Sequence, residues 1–429
     1  MKISHSICIS AILVLISQSF AVGDDWPRYR NANVDARSAE TGLLSEWPEG
    51  GPPLAWTADG VGAGYSSVAV VGDRIYTMGD LDEMQYAFAI SAEDGEILWK
   101  SNIGAANPGS YVGSRSTPTW HEDMLFCMNT DAVLVCLDAA TGNEIWKRDL
   151  VSDFGGQIML AKGEWNWRFS ESPLVDGDRV IVTPGGSDAM MVALNTKTGE
   201  EDWRCQIPEL GEKGMDGAGY SSAIVSNACG VRQYVQLVGR GVIGVDAETG
   251  EFLWGYNGVA NDVANISTPV ISGDFVFAST GYQTGSALLE LTRSEDGEFQ
   301  VEEKYFLGPR TFENHHGGFL LDGDYIYGGQ GHKLGFPTCI RMADGEVMWG
   351  PIRNDGQASA AVCYADGHLY FRYQNGLMVL IEATPDEYRE KGSFMIPRVR
   401  AESWSHPVIS EGRLYLKEQE RLLCYDISE

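Results

Sequence analysis

One eleven-residue phrase recurs along this chain and constrains its fold more than any other feature. Each copy opens on a small residue, has Asp or Asn before a turn that ends in Gly, and closes on Trp. The first four copies start 47 to 57 residues apart, and the fifth follows after about twice that spacing. A short strand, a Gly turn and a second strand, repeated at that period, are typical of a β-propeller. The copies span residues 89–99, 136–146, 193–203, 244–254 and 339–349.

A second marker gives the number of repeats. In each repeat a Ser/Thr-Pro-like position precedes a Gly-Asp-like hairpin turn, which is followed by an alternating apolar run. Such a turn supplies the positive φ that a two-residue hairpin needs, so each marker predicts the innermost strand of one blade. Eight residues mark these starts: Val68, Pro118, Pro173, Ala223, Pro269, Phe319, Val362 and Pro407.

The ends of the chain predict how the ring closes. The last repeat stops at Ile427 before its Gly turn and Trp, while residues 52–56 (PPLAW) match the missing piece. Closure by this strand removes the open edges that an unclosed ring would leave. The prediction is therefore an all-β fold, an eight-bladed β-propeller whose last blade is completed by an N-terminal strand. Three segments follow: a signal peptide over 1–21, an N-terminal extension over 22–51 and the propeller over 52–429.

The repeated tryptophans are interpreted as packing residues rather than as a cofactor surface. An indole on an outer strand can lie flat on the neighbouring blade, and the small residue at the start of the phrase leaves room for it. Blades five and seven depart from the phrase, with Tyr305 and Phe394 near the expected Trp positions, so their outer strands are expected to be the least regular.

The net charge and the N-terminal residues indicate which partners the protein can have and where in the cell it is found. The net charge of −29, from 60 acidic against 31 basic residues, repels phosphate backbones and excludes nucleic acid as a partner. Residues 2–21 carry an early Lys, an apolar stretch and a small-x-small site at Ser19-Phe20-Ala21, the pattern of a secretory signal. Cys8 lies within that stretch and does not resemble a lipid-attachment cysteine. No later apolar run is long enough to span a membrane, so we expect a periplasmic or secreted monomer.

The positions of the cysteines indicate that most of them are small buried side chains, with one possible disulfide left open. Seven remain without Cys8, so at least one thiol is unpaired within the chain. Cys136, Cys339 and Cys424 take the small-residue position of the phrase. Cys127 and Cys136 could face each other across a hairpin, which leaves a disulfide between them open.

The phrase resembles the tryptophan-docking motif of PQQ-type propeller repeats over roughly residues 52–429. That family includes quinoprotein alcohol dehydrogenases and the propeller scaffold of the bacterial outer-membrane β-barrel assembly machine. The resemblance therefore implies either a dehydrogenase that uses PQQ and calcium or a scaffold. The large dehydrogenases have longer chains, an adjacent Cys-Cys pair and recognisable calcium ligands, none of which can be placed on this sequence.

The topology gathers candidate binding residues at one mouth of the central channel. Residues just before each innermost strand, and loops between second and third strands, meet there in a propeller, and four of the seven histidines fall in these positions. The ring around the mouth is further expected to hold Ser170, Ile266, Ser359, Asn265, Asn314, Gln357 and Glu402. The ligand-binding candidates are Tyr65, Arg115, Arg168, Glu171, Tyr220, His315, His316, His332, Trp404 and His406.

These residue types suggest a chemistry for the mouth. His316 or His406 could exchange protons near neutral pH, and Arg115 or Arg168 could hold an anion. Tyr65, Tyr220 and Trp404 could stack on sugar or aromatic rings. Alternatively, Arg115 and Glu171 pair across blades and the histidines bond loop carbonyls. A zinc site of His315, His316, His406 and Glu402 is disfavoured, because adjacent residues of an extended chain point to opposite sides.

We therefore expect an exported, non-catalytic binding or scaffold protein with a pocket at the channel mouth, for a protein, carbohydrate or small-molecule ligand. The alternative is an alcohol or sugar dehydrogenase dependent on PQQ and calcium, with Glu171 as the base. A polysaccharide-acting enzyme or lectin is a third reading, without a supporting motif.

Overall fold

The computed structural model describes residues 25–106, 109, 111–161 and 166–429. The predicted signal peptide over 1–21 lies outside the described residues. Across the described part, strands dominate, with one short helix, α1 (Leu150–Phe154), and one 3₁₀ turn, Ala228–Gly230. Asp149 caps α1 by accepting from the amides of Val151 and Ser152. No helix in this part combines the length and the apolar character needed to cross a membrane.

The strands form eight four-stranded antiparallel sheets, each one blade. From the innermost strand outward, blades one to four are β2 (Ala69–Val71), β3 (Arg74–Leu81), β4 (Met84–Ser91), β5 (Ile97–Ala105); β6 (Thr119–His121), β7 (Met124–Met128), β8 (Val133–Asp138), β9 (Glu144–Asp149); β10 (Leu174–Asp176), β11 (Arg179–Val182), β12 (Met191–Asn195), β13 (Glu201–Cys205); β14 (Ile224–Ser226), β15 (Gln233–Val238), β16 (Gly241–Asp246), β17 (Phe252–Tyr256).

Blades five to eight repeat the same arrangement. They are β18 (Val270–Ser272), β19 (Phe275–Thr280), β20 (Gly285–Arg293), β21 (Phe299–Leu307); β22 (Phe319–Asp322), β23 (Tyr325–Gln330), β24 (Phe336–Arg341), β25 (Val347–Trp349); β26 (Ala360–Ala365), β27 (His368–Tyr373), β28 (Leu377–Glu382), β29 (Glu390–Met395); β30 (Val408–Ser410), β31 (Arg413–Glu418), β32 (Arg421–Asp426), β1 (Leu54–Asp59).

The predicted fold is confirmed, including the way the ring closes. β1 pairs antiparallel with β32, from Leu54 opposite Tyr425 to Asp59 opposite Arg421. The first strand of the propeller is thus the outermost strand of the last blade. The marker residues precede or open the innermost strands, except Val362, which is the third residue of β26.

Four of the five repeated tryptophans contact the next blade, as predicted, whereas Trp254 Nε1 donates to Gln233 Oε1 of its own blade at 2.6 Å. The Trp146 ring lies over the turn glycine of the next blade, where a β-carbon on Gly199 would stand 2.7 Å from the ring. Its Nε1 donates to Thr196 O at 2.8 Å in the same turn. Trp99 covers Gly142 and Trp203 covers Gly250 in the same way. The glycine of the phrase therefore provides both a positive φ and a seat for the indole of the preceding blade.

Blades five and seven depart from the pattern differently from what we expected. Tyr305 does take the Trp position, opposite Leu288, and donates to Met342 O at 2.7 Å. Phe394 does not, because it lies opposite Met378, while Gly392 occupies the corresponding position opposite Leu380. The expectation of irregular outer strands was wrong for β21, which pairs over nine residues with a single register shift of the kind found in other blades.

The chain before β1 lies against the innermost strands of several blades. Trp26 forms a β-bridge with Val70, and the Arg28 guanidinium donates to Val175 O at 2.6 Å. Arg30 is buried and donates to Phe319 O at 2.6 Å. The segment thus contacts the innermost strands of blades one, three and six within five residues.

The seven cysteines that the structure describes form no disulfide. Cys127 lies opposite Val135, and Cys136 lies opposite Phe126, so the two are one step out of register. Both are free thiols. The disulfide that the sequence left open is therefore not formed.

Candidate functional site

A cavity of about 290 Å³ lies at the mouth of the channel. Loops that precede the innermost strands supply most of its wall, because they enter the ring at this end. All eight blades contribute, and Tyr29 of the N-terminal segment joins them. The described lining residues are Tyr29, Tyr65, Ser67, Tyr111, Arg115, Thr117, Trp167, Ser170, Ser172, Tyr220, Ser222, Ala264, Ile266, Tyr282, His315, His316, Lys333, Ala358, Gln374, Trp404 and His406.

The structure brings most of the predicted candidates together at this cavity. Those that line it are Tyr65, Arg115, Tyr220, His315, His316, Trp404 and His406. Arg168, Glu171 and His332 are not lining residues.

The three candidates outside the wall have other surroundings. Arg168 forms an exposed ion pair with Asp131 at 3.2 Å. Glu171 is buried, and its carboxylate accepts from Thr183 N at 2.6 Å and from Gln236 Nε2 at 3.0 Å. Burial raises the pKa of Glu171 to about 7. The His332 ring packs on Tyr282, with 4.3 Å between ring centroids.

Aromatic rings form two sides of the cavity. The Trp404 ring lies 4.8 Å from Tyr65 and 4.9 Å from Tyr111, centroid to centroid. In the other half of the ring, Trp167 packs edge-on against Tyr220 at 5.8 Å. Such faces suit a planar or ring-shaped ligand.

Tyr29 provides a further contact to the wall. Its hydroxyl lies 3.5 Å from His406 Nε2, and the two rings meet edge-on. Blade eight is thereby joined to the N-terminal segment inside the channel.

His315, His316 and His332 form a cluster, with 4.4 Å between the ring centroids of His315 and His316 and 4.2 Å between those of His315 and His332. His315 Nδ1 lies 2.6 Å from Ser359 Oγ, and its Nε2 lies 3.3 Å from the Tyr282 hydroxyl. Burial lowers the pKa of His316 to about 4 and that of His406 to about 3, with neighbouring positive groups adding to the effect. Buried His316 Nε2 and His406 Nδ1 have no hydrogen-bond partner in the protein.

The charges that face the cavity are positive. Arg115 and Lys333 line it, and no Asp or Glu stands among the described lining residues. Arg115 donates to Tyr111 O at 2.8 Å and to Gly113 O at 3.2 Å. Glu402, which does not line the cavity, accepts from the Tyr65 hydroxyl at 3.4 Å. The wall is thus cationic in a chain whose net charge is −29.

The described residues do not fit a metal centre. In the described ranges no three or more His, Cys, Asp or Glu side chains are arranged to hold a metal ion, so the zinc arrangement of His315, His316, His406 and Glu402 is not formed. Calcium takes six to eight oxygen ligands, typically with carboxylates among them. The described wall offers none, and Glu171 is committed to Thr183 and Gln236. Among the described residues there is therefore no suitable donor set for the calcium that the resemblance to PQQ dehydrogenases implies.

Sequence reasoning missed part of the wall. Tyr282 sits in the loop between β19 and β20, and Lys333 in the equivalent loop of blade six, so the rule that selected His332 could have found both. Trp167 and Tyr111 stand just outside the positions that were counted back from the strand starts. Tyr29 gave no signal, because its segment lies outside the repeats.

Comparisons with known proteins agree with the repeat architecture. A family model described as outer membrane protein assembly factor BamB matches residues 83–350. The chain is 26% identical to the outer membrane protein assembly factor BamB of Burkholderia pseudomallei (strain K96243), over 82% of this chain and 91% of that protein. It is 28% identical to a polyvinylalcohol dehydrogenase of Pseudomonas sp, over 35% of this chain and only 29% of that protein.

Solved structures share the fold at low identity. Quinohemoprotein alcohol dehydrogenase ADHIIG of Pseudomonas putida HK5 superposes with a TM-score of 0.60 at 13% identity, covering 94% of this chain and 80% of that chain. The quinohemoprotein alcohol dehydrogenase of Comamonas testosteroni gives a TM-score of 0.61 at 11% identity, covering 94% of this chain and 81% of that chain. At these identities the likeness concerns the fold alone.

Proposed function

This chain belongs to the family described as outer membrane protein assembly factor BamB, and on that premise we propose that it is an exported, non-catalytic scaffold that binds partner proteins with the mouth face of its propeller. The observation that carries the proposal is a cavity walled by all eight blades with exposed apolar side chains beside it. The signal-like residues 1–21 support a periplasmic or secreted location.

The apolar side chains at the mouth suit a protein contact. Tyr111 and Val112 are 37% and 48% exposed, and Leu334 beside Lys333 is 46% exposed. Large apolar side chains grouped at a concave surface mark interaction sites more often than single scattered ones do. The Arg115 guanidinium fixes one of these loops by bonding Tyr111 O.

The ring itself supports a scaffolding role. β1 closes the last blade, and the N-terminal segment ties blades one, three and six together through Val70, Val175 and Phe319. A rigid platform keeps loops from distant parts of the sequence in fixed relative positions, which favours binding because less flexibility is lost. The relative from Burkholderia is named as an outer membrane protein assembly factor, so components of outer membrane protein assembly are the partner class we propose.

Site-specific photo-crosslinking in cells tests this proposal. A photoreactive residue at Val112 should yield a discrete crosslinked protein from the assembly machinery. The same residue at Leu98, which is 46% exposed on outer strand β5, is the matched control and should not. Equal products at both positions, or none at Val112, would contradict the mouth face as the binding surface.

A dehydrogenase dependent on PQQ and calcium is the second candidate. Its support is the set of similar proteins named as alcohol dehydrogenases and the aromatic walls of the cavity. The absence of carboxylates from the described wall and the burial of Glu171 weigh against it. Dye reduction by the purified protein with PQQ, Ca²⁺ and a panel of alcohols and aldoses decides: turnover would support this candidate and overturn the non-catalytic one.

A further inference from the structure

We propose that a small monovalent inorganic anion, such as a halide ion, binds between the N-terminal segment and blade eight, held by Arg30 Nη1 and His406 Nδ1. Arg30 belongs to the segment before β1, and His406 lies in the loop that leads into β30. The site is separate from the proposed scaffold role, because the anion fastens the N-terminal segment to the ring and takes no part in partner binding.

Arg30 is a buried cation that contacts neutral groups. It is 2% exposed, and its Nε donates to Val34 O at 3.2 Å and its Nη2 to Phe319 O at 2.6 Å. Its Nη1 has no hydrogen-bond partner among the described residues. The half-buried Asp35 carboxylate attracts Arg30 without forming an ion pair with it. Arginine keeps its charge in proteins, and buried charges are normally paired, so an anionic partner is expected at Nη1.

His406 supplies a second unpartnered nitrogen. Its Nδ1 is buried and has no hydrogen-bond partner within the described part of the chain, while its Nε2 lies 3.5 Å from the Tyr29 hydroxyl. When that hydroxyl donates to Nε2, the ring proton is on Nδ1, which is then a donor. A buried donor without an acceptor costs free energy, and an anion that accepts from Nδ1 recovers it.

Gly318 shows that the two nitrogens lie close to the same point. An added β-carbon at Gly318 would clash with Arg30 Nη1 and would stand 3.6 Å from His406 Cε1, the atom bonded to Nδ1. The Tyr29 hydroxyl also lies near enough to interact with the Arg30 guanidinium. Arg30, His406 and Tyr29 therefore surround one small region beside Gly318, and two of them bring hydrogen-bond donors that no described residue satisfies.

The charges around this region favour a monovalent anion. Burial lowers the pKa of His406 to about 3, with Arg30 and Arg372 among the positive groups that add to the effect. Arg372 is paired with Glu418, which leaves Arg30 as the charge for an anion to neutralise. A halide fits better than phosphate or sulfate, because the hydration free energy that an ion loses on burial rises steeply with its charge.

Crystals of the full chain grown in sodium bromide test the inference directly. X-ray data collected at the bromine absorption edge should show an anomalous difference peak in contact with Arg30 Nη1 and His406 Nδ1. A water molecule can accept from the same donors but gives no anomalous signal, so a water at this position without a peak overturns the inference. This measurement uses the parent protein and does not depend on the folding of any variant.

Thermal unfolding in sodium chloride and in sodium gluconate at equal ionic strength tests the contribution of Arg30. Chloride should raise the melting temperature of the parent protein relative to gluconate, because a ligand bound by the folded state alone stabilises that state. The shift should disappear in Arg30→Gln and persist in Arg37→Gln. Arg37 is the matched control, since it lies in the same segment and already pairs with Asp322 at 2.5 Å.

General salt effects act on the parent and on both variants alike, so they cancel in this comparison. Equal chloride shifts in Arg30→Gln and Arg37→Gln, or no shift in the parent protein, would overturn the inference. The crosslinking at Val112 does not depend on the anion, so failure of the anion site and failure of the scaffold role are separately visible.

Discussion

The Trp47 side chain lies against the backbone of Gly392, where an added β-carbon would stand 2.7 Å from Trp47 Cβ. Gly392 occupies the position that Trp takes in the repeated phrase. The Trp47 ring packs edge-on against Phe394 at 5.2 Å and against Tyr370 at 5.7 Å. A residue that precedes β1 therefore supplies blade seven with the indole that its own outer strand lacks.

Trp47→Ala should destabilise the propeller through this packing. Trp47 is 4% exposed, and removing a buried Trp side chain costs about 3–5 kcal/mol. Met395→Ala in the same region is the control, because Met395 is 54% exposed and such changes stay within about 0.5 kcal/mol. Denaturant unfolding of both variants measures the difference, and similar losses would show that Trp47 does not stabilise blade seven.

Two glycines of blade three allow the cost of backbone strain to be measured separately from the cost of displacing an indole ring. Gly199 and Gly177 have φ of 68° and 63°, but a β-carbon meets the Trp146 ring at Gly199 and nothing within 4 Å at Gly177. Both Ala variants carry the cost of a positive φ, about 1–2 kcal/mol. Only Gly199→Ala also displaces the indole, so its melting temperature should fall clearly further. Equal melting temperatures would mean that the ring moves aside at no cost.

The repeats made the fold predictable from the sequence, but they gave no indication of where the Trp47 side chain packs. Alternating apolar runs, Gly turns and the incomplete last repeat determined the blade number and the closing strand, since each is a local pattern with one structural solution. Trp47 and Tyr29 lie outside any repeat, so no period relates them to their neighbours. For Phe394, counting from the phrase failed because the turn of blade seven is longer: Leu380 pairs with Gly392, 12 positions on, whereas Ala89 pairs with Trp99, 10 positions on.

A buried ion pair between blades seven and eight should be sensitive to loss of one partner. Arg372 Nη2 lies 2.7 Å from Glu418 Oε2, and neither side chain is more than 1% exposed. Arg372→Met leaves the carboxylate buried without its cation, which costs about 3–5 kcal/mol. The double variant Arg372→Met with Glu418→Leu should recover part of that loss. Chemical unfolding of the single and double variants measures both free energies of unfolding. A double variant less stable than Arg372→Met would contradict this prediction.

The histidine cluster predicts a loss of stability in mild acid. The pKa of His316 is lowered to about 4 in the folded chain, against about 6.5 in the unfolded chain. Between these values the unfolded state binds the proton and the folded state does not, so the free energy of unfolding falls as pH drops, by roughly 3 kcal/mol for His316 alone.

His316→Asn should therefore be less sensitive to acid than the parent protein. Unfolding measured at pH 7.5 and at pH 4.5 gives the comparison, and His121→Asn on inner strand β6 is the control outside the cluster. A variant that loses as much stability between the two pH values as the parent would contradict the assignment.

Part of the cavity wall could be predicted from the sequence, because the blade topology rather than side-chain contacts determines which loops form it. Residues counted back from the strand starts reached Tyr65, Arg115, Tyr220, His316 and Trp404, which all line the cavity. The same count could not show that Glu171 turns away, since that depends on its bonds to Thr183 and Gln236.

The pairing of β1 with β32 joins residues 54–59 to residues 421–426, so the two ends of the propeller sequence complete one sheet. During synthesis the first strand emerges long before its neighbour exists. Until the final residues arrive, a strand edge stays available to other chains. A chain truncated within β32 would thus have two strand edges without hydrogen-bond partners, one at β1 and one on the incomplete last blade. Such a chain should self-associate through these edges, even though most of its blades can form.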